Sequence, residues 1–281
     1  MRTIKAVQIT EAVAKLAIDA NYYIPEDIYD ALAAGYKQEE SVLGKEIIDL
    51  LMQNNRVARQ EQMPICQDTG MAVIFAELGQ DVHITGGNFE DAINAGVVKG
   101  YAEGYLRKSV VDDPLFVRKN TNDNTPAVIH TFIVPGDKLK ITLAPKGFGS
   151  ENMSAIKMLT PSAGVDGVKK LVVDTVKNAG ANPCPPIVIG LGIGGTMEKA
   201  ALLAKKALLR SIATSNPHPA YAKLEQELLE MVNKTGVGPQ GLGGRVTALG
   251  VNIEYFPTHI AGMPVAININ CHAARHAEIE I

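Results

Sequence analysis

Cysteine is scarce in this sequence, and long apolar runs and a surplus of positive charge are missing. Only Cys66, Cys184 and Cys271 occur among 281 residues. So sparse, odd and widely spaced a set excludes a disulfide framework, so a reducing compartment and a cytoplasmic location are expected. The first twenty residues carry charges at short intervals and lack the apolar stretch of roughly 7 to 15 residues that a secretory signal needs, so no export is indicated. The longest apolar stretch, Pro186 to Ile193, falls far short of the roughly 18 residues that span a bilayer, and no membrane association is expected. Lys plus Arg number 27 against 30 Asp plus Glu, a net charge of −3, so no overall positive field exists to hold a nucleic acid. Internal repeats, low-complexity tracts and an interdomain linker are also lacking.

What is present suits a folded enzyme. Hydrophobic residues make up 46% and charged residues 20%, the balance of a soluble globular chain. Apolar residues recur at helical intervals at Val13, Leu16, Ala17 and Ala20, and again at Leu43, Ile47, Leu50 and Leu51. Pro25 before Glu26 and Asp27 suits a helix start between them. From Met71 the pattern becomes strand-like, MAVIFAEL and then VHIT. Asn88 caps a helix expected to run to about Arg107, with Phe89, Ile93, Val97 and Tyr101 on one stripe. Residues 127–134 and 138–144 read as a hairpin across Pro135-Gly136-Asp137. Helices are expected over about 165–178, 196–212 and 220–234, and strands over 187–192, 247–256 and 264–270. The expectation is a single mixed α/β domain over residues 1–281, a helical N-terminal region of about 1–62 followed by sheets flanked by helices.

Gly190, Gly192 and Gly195 match GxGxxG between an apparent strand and a helix, but the acidic residue that should follow about 20 residues on to hold a ribose is missing. The glycines then serve a tight turn with close helix packing, or free N–H groups at the start of the next helix hold an anion such as a carboxylate. His272 and His276 are four apart, as a metal pair on a helix would be, without the glutamate of an HExxH arrangement; two partly exposed histidines is the simpler reading. His83 and His130 read as packed strand residues and His218 as part of a Pro-flanked turn.

The cysteines have unusual neighbourhoods. Cys66 sits in PICQDTG between a helix and a strand, Cys184 in NPCPP just before a strand, and Cys271 after the apolar run VAININ. Spacing this wide rules out a zinc knuckle or compact ferredoxin motif. Three thiolates at element ends suit a [4Fe–4S] cluster with one iron left open as a Lewis acid; three unrelated buried cysteines fit the spacing as well.

PICQDTG, the KGFGSEN segment from Lys146 to Asn152, NPCPP, and the ending THIAGMPVAININCHAARH resemble the alpha subunit, or N-terminal half, of class I iron–sulfur fumarate hydratases and the related tartrate dehydratases. The similarity runs through nearly the whole chain with its motifs in order. It implies that Cys66, Cys184 and Cys271 hold a [4Fe–4S] cluster, and that about 63–281 is a cluster and substrate-binding region. It further implies that Gln67 and Asp68 line the substrate site and that Arg107 binds a substrate carboxylate, a role guanidinium geometry suits. Gly149 and the stretch Asn152 to Met158 match a substrate-side loop and helix start, and His259 matches an active-site histidine. This chain differs in carrying Phe148 between two glycines and Met153 after Asn152, where single-chain members have a fuller glycine run and an Asn-Lys pair; Lys157 is the candidate for the displaced positive charge.

The resemblance implies reversible hydration of fumarate to L-malate, with Asp68 moving the proton and His259 assisting. L-tartrate dehydration is the alternative, and an iron–sulfur electron-transfer or regulatory protein a distant one. Family members complete the site with further Thr, Arg and Lys residues from a C-terminal half, so a separate beta subunit, and hence a hetero-oligomer acting on a small dicarboxylate, is expected.

Overall fold

The helical spacing of the first sixty residues and the apolar runs beyond Met71 are both realised in the computed structural model, which describes residues 2–281. The elements are, in chain order, β1 (Arg2–Lys5), α1 (Ala6–Tyr22), α2 (Glu26–Gln38), α3 (Val42–Glu61), β2 (Met71–Gly79), β3 (Val82–Thr85), α4 (Phe89–Glu103), β4 (Val128–Val134) and β5 (Leu139–Lys146). A single turn α5 (Phe148–Glu151) precedes β6 (Ala155–Leu159), α6 (Gly164–Ala179), β7 (Ile187–Gly194), α7 (Met197–Ala207), α8 (Pro219–Asn233), β8 (Ala248–Phe256), β9 (Met263–Asn270) and β10 (Ala277–Glu280). The class is mixed α/β, helical at the N-terminal end with helix-flanked sheets beyond. Contacts divide the chain into two compact units: the segment ending at Ile24 with Asn54–Phe148 and Arg275–Ile281, and Pro25–Gln53 with Gly149–Ala274.

In the first unit β2 is the organising strand. Residues 72–76 are buried without a break, so the strand needs neighbours on both edges and cover on both faces. It pairs in parallel with β4 and antiparallel with β5, and β10 closes the order β10-β5-β2-β4. The expected hairpin of residues 127–144 is therefore not formed: β4 and β5 flank β2 instead of pairing with each other. α1 and α4 cover this sheet, burying Ile9, Val13, Leu16, Ile93, Val97 and Tyr101 against Ile74, Ile141 and Leu143. Each such aliphatic burial stabilises the fold by roughly 1.5–3 kcal/mol. Asn88 caps α4 as expected, accepting from the N–H groups of Glu90 and Asp91 at 2.8 and 3.2 Å. The helix stops at Glu103, short of Arg107, because Gly104 closes it and Tyr105 turns left-handed at φ 50°. β1 and β3 form a separate parallel pair.

The second unit is a three-layer arrangement around the order β6-β9-β7-β8. Ile187, Ile189 and Leu191 point to the face covered by α6 and α8. Gly190 and Gly192 alternate to the other face, where a Cβ would lie 2.2 Å from Ala204 O and 2.0 Å from Ala200 O. These glycines let α7 lie directly on the strand, the close-packing reading of the motif. α7 ends at Ala207, before Ile212, because the chain tightens into i→i−3 bonds from Leu208 to Arg210. No helix among the described residues is long and apolar enough to cross a membrane.

Candidate active site

In the first unit, Cys66 and Asp68 lie on the loop between α3 and β2, which has no secondary structure of its own, so its shape is set by side chains. At its start Ile65 N–H donates to Asn21 O at 2.9 Å and Asn54 Nδ2 donates to Ile65 O at 2.8 Å. The Asp68 N–H lies 3.4 Å from Cys66 Sγ, and the Cys66 thiol donates to Gln67 Oε1 at 3.2 Å. The Asp68 carboxylate is in turn fixed by main-chain donors, Gly70 N–H on Oδ1 at 3.0 Å and Phe148 N–H on Oδ2 at 2.9 Å.

Three consecutive carbonyls of this loop are held from three distant segments. Arg275 Nη2 donates to Asp68 O at 2.5 Å. The Tyr101 hydroxyl lies 2.8 Å from Thr69 O and 2.9 Å from Gly70 O, and Asn124 Nδ2 donates to Gly70 O at 3.1 Å. All three side chains are buried. Burial pushes the Tyr101 hydroxyl well above the ordinary phenol value, the nearby Arg275 charge pulling the other way, so it remains a donor at all physiological pH. The loop also reaches Arg107: Thr69 Oγ1 donates to Arg107 O at 3.1 Å, and the Arg107 side chain is exposed. Cys66, Gln67, Asp68 and the backbone of Arg107 thus share one hydrogen-bonded neighbourhood.

In the second unit, Cys184 precedes β7 and Cys271 follows β9. The strands pair antiparallel with Val188 opposite Asn270, so the start of one lies beside the end of the other. A main-chain bond from His272 N–H to Cys184 O at 3.2 Å ties these ends together. Cys184 is exposed and adopts φ 54°, Cys271 is half-buried. Gln240 braces the turn, donating to Pro185 O from both its backbone N–H and its Nε2 at 2.8 Å. A Cβ on Gly149 would lie 3.4 Å from Asn182 O, so this expected site residue faces the Cys184 turn.

Other expected site residues are placed differently. Residues 152–158 do not start a helix: after a turn, Ala155–Leu159 forms β6, paired with β9, and Lys157 stands opposite Val265 with an exposed side chain. Asn152 is exposed, whereas Met153 packs against the apolar core. His259 lies in an exposed turn, its Nδ1 accepting from Ala261 N–H at 3.2 Å. His272 and His276 lie outside any helix, so the i, i+4 metal pair does not arise. His218 caps α8 and packs edge-on against Tyr221 and Tyr255. A cavity of about 690 Å³ lined by Gln38, Glu40, Glu230, Lys234 and Arg245 includes none of the expected site residues.

Among the described residues no group of three or more His, Cys, Asp or Glu side chains is arranged to hold a single metal ion. Within each unit by itself the thiols stand at element ends: Cys66 in the first, with a main-chain N–H on its Sγ, and Cys184 and Cys271 in the second, at strand ends joined through the main chain. Thiol donors of this kind suit an iron–sulfur cluster rather than a single hard metal ion. Sequence reasoning marks Tyr101 only as a core residue of its helix stripe and assigns no role to Asn124, Gln240 or Arg275. Only the Asn- and Asp-rich run around Asn124, which itself sits at φ 63°, carried a signal of an ordered loop.

A family model described as "Fumarate hydratase (Fumerase)" matches residues 10–280. A Methanocaldococcus jannaschii protein named "Putative L(+)-tartrate dehydratase subunit alpha" is 43% identical over 276 residues, 96% of either chain. An "L(+)-tartrate dehydratase subunit alpha" of Escherichia coli strain UTI89 is 32% identical over 98% of this chain and 91% of its own. One of the same name from Shigella sonnei is 32% identical over 97% and 90%.

Proposed function

The chain belongs to the fumarate hydratase (fumerase) family of hydro-lyases, and on that premise we propose that it is the alpha subunit of a cytoplasmic iron–sulfur enzyme that reversibly hydrates fumarate to L-malate. The observation that carries this reading is the family match across residues 10–280, which takes in all three cysteines and every motif segment. Cys66, Cys184 and Cys271 would hold a [4Fe–4S] cluster. When bound, the cluster supplies a Lewis-acidic iron at the position that no cysteine occupies.

The protein side of the chemistry falls to the chain's own groups. Arg107 has the fork geometry to hold one substrate carboxylate, and Gln67, on the Cys66 loop, would line the substrate site with it. Asp68 is assigned the proton that leaves or joins the substrate carbon, because two main-chain donors already fix its carboxylate. His259 orients substrate or assists that transfer. Gly149 leaves room beside the Cys184 turn, and Asn152 and Lys157 supply polar and positive groups on the substrate side. The relatives' names as alpha subunits support a separate beta subunit that completes the enzyme as a hetero-oligomer.

A second reading, L(+)-tartrate dehydration, is favoured by the printed names of the relatives. Both reactions move water on a four-carbon dicarboxylate, and the same residues would serve either. Anaerobic co-expression with the partner subunit, followed by assays on fumarate and on L-tartrate, separates them. Fumarate turnover with none on tartrate supports the first reading and the converse the second; a clustered complex active on neither overturns both. Asp68→Asn in the active complex should lose most turnover, and full retained activity would remove Asp68 from its role.

A further inference from the structure

Arg275 is a buried cation with incomplete bonding. It is 5% exposed, and its Nη2 donates to Asp68 O, while Nε and Nη1 are buried with no hydrogen-bond partner among the described residues. A guanidinium stays charged at any pH the protein meets. Burying it so costs free energy that ordinary packing does not require, since an apolar side chain would fill the same space without that penalty. The feature that distinguishes its location is the loop it grips: Asp68 N–H lies on Cys66 Sγ, and the Asp68 carboxylate takes Gly70 N–H and Phe148 N–H.

We propose that Arg275 is a positioning residue that fixes Asp68 through its carbonyl, so that the Asp68 N–H stays on Cys66 Sγ and its carboxylate stays in one orientation. The inference rests on the functional reading above for the roles of Cys66 and Asp68. Asp68 is held from both sides of its Cα, its N–H engaged with the cysteine sulfur and its C=O with the guanidinium. Tyr101 and Asn124 hold the next two carbonyls, so Arg275 completes a three-point grip. Groups that orient ligand residues without touching the metal commonly tune metal sites, and small misplacement of a reacting group is expensive in rate.

The test compares Arg275→Gln, Arg275→Lys and Tyr101→Phe in the full-length chain. Hydrogen–deuterium exchange of the 64–70 segment is measured first, without any cluster. Loss of a charged hydrogen bond predicts exchange at Asp68 to Gly70 accelerated about 10- to 100-fold in Arg275→Gln, with α4 and β2 unchanged and partial rescue in Arg275→Lys. In the anaerobically reconstituted complex, the same variant should lower kcat about 10- to 100-fold with little change in KM, and alter the cluster's visible spectrum. If Arg275→Gln fails to fold, Tyr101→Phe carries the test, with faster exchange confined to the same loop. Wild-type exchange at 66–70 in the folded variants overturns the proposal. Accelerated exchange in Arg275→Gln, together with a wild-type complex that turns over neither dicarboxylate, leaves the positioning role standing and overturns the functional reading instead.

Discussion

Cys66 stands on a loop whose carbonyls at 68, 69 and 70 are held by the side chains of Arg275, Tyr101 and Asn124. Cys184 and Cys271 stand at adjoining ends of paired strands, and the bond between them runs from one main chain to the other. The first arrangement depends on particular buried side chains drawn from three distant segments; the second depends chiefly on the pairing of β7 with β9. Side-chain substitutions should therefore disturb the first region strongly and the second weakly, even though both regions present thiols of the same proposed use. Only replacement of the thiols themselves should act alike in both.

Replacing the thiols is the largest expected effect. Cys66→Ser, Cys184→Ser and Cys271→Ser should each fail to retain a complete cluster after anaerobic reconstitution, and turnover should fall about a thousandfold or more, given what a Lewis-acid metal supplies to the barrier. Iron and sulfide content with visible absorbance gives the readout. A Cys184→Ser complex with an unchanged cluster would remove that residue from the ligand set and end the parallel between the two regions.

Glu39 sharpens the comparison from the other side, because it is a side-chain clamp in the main-chain-dominated unit. Its carboxylate accepts from the N–H groups of Glu40 and Ser41, just before α3, and from Arg245 and Val246 beyond the glycine-rich passage. Burial alone would raise its pKa, but the four main-chain donors together outweigh burial and hold it below the ordinary carboxylate value. A depressed folded-state pKa contributes stability that is fully present above the unfolded value, about 4.3, and is lost as pH falls through the lower folded value. Glu39→Gln should therefore cost about 2–3 kcal/mol at pH 7, the gap to wild type narrowing below about pH 4. Chemical denaturation at several pH values measures it, and a pH-independent gap would mean that the ionised carboxylate is not the clamp.

Tyr101→Phe comes next. It removes one hydroxyl and takes that donor from the Thr69 carbonyl in a buried place, while Gly70 O keeps the Asn124 amide, for a cost of about 1–3 kcal/mol. Denaturation midpoints check this, and a loss below about 0.5 kcal/mol, the size of an ordinary surface change, would show that the loop holds its shape without the side-chain grip.

The two regions also differ in how much of each was legible in the sequence. The strands beside Cys184 and Cys271 were readable because β7, β8 and β9 are apolar runs, with Pro186 before β7, Pro257 after β8 and Gly262 before β9 marking an end of each. Strand partners were not readable. The alternation of residues 139–143 marks which side chains are buried and is silent on which strand lies alongside, so β2 entered between two strands that are neighbours in sequence. β6 was hidden because Ala155–Leu159 is half exposed and its pattern does not separate an edge strand from a helix start. The grip on the Cys66 loop was invisible for a different reason. Arg275 sits four residues past Cys271 near the end of the sequence, between Ala274 and His276, where nothing local marks it as buried, and only folding brings it to Asp68, more than two hundred positions earlier.

Gln240 gives the smallest expected effect and the sharpest test of the main-chain side of the comparison. It is a non-glycine residue at φ 52°, so its backbone is strained, and it donates to Pro185 O twice, once through the backbone and once through Nε2. Gln240→Ala removes the side-chain bond and keeps the strain, and should cost about 1 kcal/mol. Gln240→Gly removes the same bond but relieves the left-handed strain, an offset of similar size, so its net cost should be close to zero. In both variants the backbone N–H still reaches Pro185, and the Cys184 turn should keep its shape and its ability to take part in cluster assembly. Denaturation curves combined with iron content after reconstitution separate the possibilities. If Gln240→Gly instead lost the cluster while Gln240→Ala kept it, the turn would depend on the restricted backbone of residue 240. If both lost it, the side chain of Gln240 would be to Cys184 what Arg275 is proposed to be to Cys66, and the contrast between a side-chain-held and a main-chain-held cysteine would not survive.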